Sequence, residues 1–203
     1  MTITAAMVKE LRDKTGAGMM DCKKALSESN GQMQEAIDLL RQKGLATARQ
    51  RASRAIKEGQ VVAYIHAGGK LGVLVEINCE TDFVARTPEY AEFAKNVAMH
   101  IAAAAPLALS REELAPELIE REKEIYRAQA LDEGKPEQVI DRIVEGKLKK
   151  FFAETVLLEQ PYVKETEMTV ADYLNQTIAQ TGEKMEIRRF TRFVLGEELE
   201  NEG

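Results

Sequence analysis

The sequence predicts an α+β fold: an N-terminal three-helix module, a linker, then a core in which helices pack a small antiparallel sheet and an antiparallel helical hairpin projects. Three observations predict it. Apolar residues recur at helical spacing through the first 45 residues. Past Gly59 the period changes to two around the turn Ala67-Gly68-Gly69-Lys70. Two long helical patterns, 116–133 and 136–152, then flank Gly134-Lys135-Pro136.

The first 57 residues contain no aromatic residue and no proline. Thr4 is placed to cap a helix carrying Met7, Val8 and Leu11, which Gly16 ends. A second helix begins near Met19, carries Cys22, Ala25 and Leu26 inward, and stops at Asn30-Gly31. A third places Met33, Ala36, Ile37 and Leu40 on one face and is expected to end at Gly44. So thin a core makes a marginal unit that needs support from its neighbours. These helices define a domain over residues 1–45, and 46–58 reads as a helical or flexible linker.

The core domain is expected over 59–203. Residues 60–80 form its β-hairpin, with strands 60–66 and 71–80. In the second strand Leu71, Val73, Val75, Ile77 and Cys79 share one face, and the opposite face is mostly polar. Pro88 opens a helix over 89–105, in the first-turn position that suits it. In the helical hairpin, 116–152, Leu118, Ile125, Ala128 and Leu131 are expected to face Val139, Ile143 and Leu148. A helix over 170–180 precedes a last strand at 186–195, which joins the hairpin and ties the end of the chain to its middle.

Composition narrows the function classes. A net charge of -6 argues against non-specific nucleic-acid binding, which needs a basic surface. Charge is nonetheless uneven: 41–57 holds six Lys/Arg and no acid, while the last eight residues hold four Glu and no base. A solvated helix and a frayed tail account for both. The longest uncharged apolar stretch, 97–110, is too short to span a bilayer, and the N-terminus carries neither a signal nor a transit pattern. Cytoplasmic residence is the expectation. Two distant cysteines, Cys22 and Cys79, suggest neither a disulfide scaffold nor a zinc site.

A search for chemistry yields little. His66 and His100 sit outside any metal-ligand spacing, and the glycine-rich 15–18 segment lacks the Lys-Ser/Thr and preceding strand of a phosphate loop. Cys79, His66 and Asp82 are the one candidate set for nucleophile, base and orienter. Cys79 falls on its strand's apolar face, where a buried structural thiol is the better reading. No enzyme, no metal and no cofactor is expected. What stands out is Thr81-Asp82-Phe83-Val84 before Pro88. Thr81 or Asp82 can cap a short helical turn there, and Phe83 either plugs the local core or projects as an anchor for a protein partner.

Residues 11–26, LRDKTGAGMMDCKKAL, resemble the N-terminal signature of the translation elongation factor Ts family. Residues 76–86, EINCETDFVAR, are similar to that family's second signature, and 142–151 and 160–163 also resemble it. The resemblance spans essentially the whole chain. It implies an N-terminal domain like a ubiquitin-associated (UBA-like) module, a coiled-coil projection, and guanine-nucleotide exchange on elongation factor Tu in its GDP-bound and nucleotide-free forms. It further implies that Thr81, Asp82, Phe83 and Val84 disturb the partner's Mg²⁺/phosphate site. Leu11, Arg12, Thr15, Gly16, Ala17, Gly18, Met19 and Met20 would make a second contact. Longer members have an enlarged core and a C-terminal extension; a shortened core raises pairing of two copies, a homodimer, as a way to complete the binding surface. The rival readings are an RNA- or ribosome-binding accessory protein using 41–57, which the acidic total disfavours, and a cysteine-dependent hydrolase.

Overall fold

The computed structural model describes residues 3–51 and 56–197, with side chains throughout except over 45–51. Among the described residues the elements run α1 (Ala5–Thr15), α2 (Met19–Glu28), α3 (Met33–Arg51), β1 (Glu58–Ile65), β2 (Leu71–Cys79), α4 (Asp82–Ala85), α5 (Pro88–Ala104), α6 (Pro116–Asp132), α7 (Glu137–Thr155), β3 (Pro161–Tyr162), β4 (Glu165–Thr169), α8 (Val170–Thr181) and β5 (Met185–Val194). The main sheet is antiparallel in the order β1-β2-β5, so the last strand does join the hairpin, beside its second strand. Residues 52–55 of the expected linker and the acidic end 198–203 lie outside the described residues.

The chain divides into two compact units. The first comprises Met1–Val62, Val75–Asn96 and Asp172–Arg188; the second comprises Ala63–Leu74, Val97–Ala171 and Arg189–Gly203. In the first unit α1, α2 and α3 form the expected UBA-like module. Thr4 caps α1, its side-chain oxygen accepting the Met7 N–H at 3.3 Å, and Gly16 ends it at φ 65°. Val8, Leu11, Cys22, Ala25, Leu26 and Ala36 make its core. The third helix does not stop at Gly44 but continues to Arg51. A mid-helix glycine costs only about 1 kcal/mol relative to alanine, and here it packs against Ala179 of α8, 3.6 Å from where a Cβ would stand. An ion pair between Arg41 and Asp172, at 2.5 Å, joins the same two helices.

Val75, Ile77 and Cys79 of β2, with Tyr90, Phe93 and Ala94 of α5, are the unit's other buried side chains of note. Tyr90 is wholly enclosed, its hydroxyl donating to the Ile77 carbonyl and accepting the Gln60 N–H. Phe93 lies against Tyr173 of α8, with ring centroids 5.0 Å apart.

In the second unit α6 and α7 form the helical hairpin around Ala130, Ile140, Val144, Leu148 and Phe152. The expected seam holds in part: Leu118, Ile143 and Leu148 pack into it, but Ile125, Ala128, Leu131 and Val139 are exposed, and Ile119 and Tyr126 pack inward instead. Adjacent apolar pairs, Leu118-Ile119 and Ile125-Tyr126, make two heptad registers equally apolar. The register used places Ala130 in the contact and lays the Lys147 ammonium over the Tyr126 ring at 5.6 Å. A two-stranded ribbon, β3 with β4, carries no sequence signal, because its strands are too short to show a period.

His100 is wholly buried beside that ribbon's first strand. Gln160 donates its amide to the Ala104 and Glu154 carbonyls, which leaves its oxygen to accept from His100 Nε2 at 2.9 Å. His100 Nδ1 in turn accepts the Val163 N–H at 3.3 Å. An imidazole donating at one nitrogen and accepting at the other is neutral, and burial pushes its pKa down.

Candidate protein-binding site

Strand β2 ends at Cys79, and within three residues the chain enters α4, a single turn. Thr81 makes this corner. Its backbone is extended, and its hydroxyl oxygen accepts the Val84 N–H at 3.4 Å as an N-cap. Three residues past Val84, Thr87 caps the next helix, accepting the Tyr90 N–H. With Val84 and Ala85 buried, the helical turn directs its other side outward. Phe83 therefore stands 77% exposed, and Asp82 sits beside it in an open ion pair with Arg86 at 2.9 Å.

The 15–20 segment is built the same way. Gly16 turns the chain out of α1 in the left-handed region, and Thr15 Oγ1 donates to the Leu11 carbonyl while accepting the Ala17 N–H. Gly18 begins α2, whose first turn exposes Met19 by 59% and Met20 by 74%. Arg12 is exposed, Ala17 is half-buried, and Leu11 lies wholly within the core. Of the twelve sequence candidates, then, Asp82, Phe83, Met19, Met20 and Arg12 present side chains outward, whereas Leu11 and Val84 support them from beneath.

Sequence reasoning missed the residues that hold these two segments. Glu183 receives both the N–H and the hydroxyl of Thr81, at 3.0 and 2.7 Å. Gln176 and Gln180 donate to the Thr15 carbonyl at 2.9 and 3.4 Å. Each bond joins residues more than a hundred positions apart, and neither motif nor period signals such partners.

The rival chemistry is not assembled. Cys79 is buried, donates to the Thr81 carbonyl at 3.1 Å, and has its pKa pushed up to about 11 by burial and then by the Glu183 charge, so it is a protonated thiol at neutral pH. The His66 ring shares a hydrogen bond with the Tyr64 hydroxyl, and the Asp82 carboxylate is engaged by Arg86. Among the described residues no group of His, Cys, Asp and Glu is disposed to hold a metal ion, and no helix is long and apolar enough to cross a membrane.

A family model described as elongation factor TS matches residues 2–197 of the chain. The chain is 60% identical over 200 residues to the elongation factor Ts of Geobacter sulfurreducens, covering 98% of this chain and 93% of that one. It is 57% identical over 196 residues to that of Desulfosudis oleivorans (97% and 99% covered), and 60% identical over 197 to that of Carboxydothermus hydrogenoformans (97% and 91%). A UBA-like module followed by a helix-packed sheet, with this match along nearly its full length, defines a translation elongation factor. The chain belongs to the elongation factor Ts family.

Proposed function

We propose that the protein is a cytoplasmic guanine-nucleotide exchange factor for elongation factor Tu, acting by binding alone, with no covalent step. One observation carries the reading: Phe83 projects, 77% exposed, from a turn whose neighbouring side chains are anchored. A large aromatic held out on a fixed corner fits insertion between helices of a partner. Asp82 accompanies it, and its surface pair with Arg86 is worth at most about 1 kcal/mol, so it opens readily. Asp82 then competes with the geometry that holds Mg²⁺ in elongation factor Tu. Loss of that ion removes the strongest positive charge opposing the GDP phosphates. Met19 and Met20, adaptable apolar side chains, supply a second foothold that keeps the wedge at high effective concentration.

The energetics are those of linkage. A factor that weakens GDP binding by some ratio is itself weakened by GDP in that ratio, so it leaves once a nucleotide rebinds. Release of a fluorescent GDP from elongation factor Tu, followed with and without the protein, tests the reading. No acceleration at saturating protein would refute it.

Self-association is a second reading, favoured by the exposed apolar side chains Ile65, Leu74, Phe193 and Leu195, which line one shallow concavity. We propose that two copies pair through it. Light scattering would then return about twice the chain mass, and a monomer at working concentration would end the idea.

A further inference from the structure

We propose that Glu183, together with Gln176 and Gln180, is a positioning device that fixes the 81–84 turn and the 15–20 segment as one preorganised contact surface; the inference rests on the exchange reading above. The carboxylate of Glu183 grips Thr81 twice, taking its N–H at 3.0 Å on one oxygen and its hydroxyl proton at 2.7 Å on the other. That hydroxyl, its proton so committed, turns a lone pair to the Val84 N–H and caps α4. A one-turn helix has almost no stability of its own. Its conformation is therefore set by this grip and by the burial of Val84 and Ala85.

The grip is reciprocal. Glu80, the residue before Thr81, accepts the N–H of Lys184, the residue after Glu183, at 2.6 Å. Two carboxylates thus each hold the other segment's backbone, and bonds to charged acceptors are about twice as strong as neutral ones. Gly182, at φ 78°, turns the chain off α8 and brings Glu183 to this position. One and two turns back along that helix, Gln180 and Gln176 both donate to the Thr15 carbonyl. Gly16 makes room for this: a Cβ there would lie 1.9 Å from the Gln180 amide nitrogen. A single helix and its exit therefore reach both candidate contact segments, and neither can shift without breaking bonds to it.

Preorganisation of this kind acts on the population of the competent state, not on the complex once formed. Glu183→Ala should leave the maximal rate of GDP release unchanged while raising the half-saturating concentration of the factor. If the 81–84 turn is then correctly placed about one tenth of the time, the rise is about tenfold. Glu183→Gln, whose amide oxygen still accepts the Thr81 N–H, should recover most of the loss. Hydrogen exchange on the full-length chain should show faster exchange at the Thr81 and Val84 amides in Glu183→Ala alone. An unchanged half-saturation in Glu183→Ala, or a lowered maximal rate at unchanged half-saturation, would overturn the proposal, the latter because Glu183 would itself be touching the partner. If Glu183→Ala loses its fold by circular dichroism, the Gln176→Ala/Gln180→Ala pair, which removes both bonds to the Thr15 carbonyl, is judged by the same rate-against-concentration split. Wild-type protein without any effect on GDP release would refute the exchange reading and this proposal with it; an active wild type with indifferent variants would remove the proposal alone.

Discussion

Replacing Phe83 by alanine removes a ring that contributes little to the protein's own packing, since 77% of the residue faces solvent. A Phe side chain buries ~150–250 Å² when fully enclosed, of which alanine retains a minor part. Taking about 100 Å² as the area that only Phe83 brings into a partner, at ~25 cal/mol per Å², gives about 2.5 kcal/mol, or roughly 70-fold in rate at subsaturating factor. Stability should hardly respond, because the turn is fixed by Thr81, Val84 and Ala85, all untouched. The assay is stopped-flow release of a fluorescent GDP from elongation factor Tu over a range of factor concentrations, with a thermal melt of the same preparation. The expected result is a large loss of kcat/KM at an unchanged melting temperature. Wild-type kcat/KM in the variant would refute the wedge. A fall of many degrees in Tm would show instead that Phe83 serves the fold.

Tyr90→Phe should destabilise the protein by about 1–3 kcal/mol, because the Gln60 N–H and the Ile77 carbonyl both lose a buried partner; equilibrium urea unfolding reads it, and an unchanged midpoint would contradict the bonding described. His100 predicts acid sensitivity. Its pKa is lowered in the folded state, so the unfolded chain binds a proton first as pH falls. Its contribution is complete above the free value of about 6.5 and is lost as pH drops from there through the folded pKa. Unfolding at pH 7 and pH 5 measures this, and an NMR titration placing His100 at or above the free value would contradict it.

Local signals carried much of the fold into the sequence. The Thr4 cap, the left-handed Gly16, the two-fold period of β2 and the proline at the start of α5 each act over a few residues and can be read there. The α6–α7 seam was ambiguous because Leu118-Ile119 and Ile125-Tyr126 satisfy either register, and only tertiary packing chooses. Gly44 misled because a glycine within a helix and one that ends it look alike until Ala179 is found beside it. Phe83 was legible as an alternative, core plug or anchor, and the outward side of α4 was decided by which of its neighbours are buried. The amides and carboxylate of α8 and its exit left no trace, since a Gln or Glu meant to hold a distant carbonyl or N–H is spelled like any surface residue.

The dependence of the N-terminal module on α8 also orders events during synthesis. Residues 3–44 leave the ribosome some 130 residues before the segment that supplies Asp172, Gln176 and Ala179. Until α8 emerges, the three helices must persist as a small unit with a thin core, lacking the bonds that complete it. Such far-separated contacts raise contact order and slow the last stage of folding. The 15–20 segment therefore acquires its final geometry only once α8 has emerged, because Gln176 and Gln180 must be present to bond the Thr15 carbonyl.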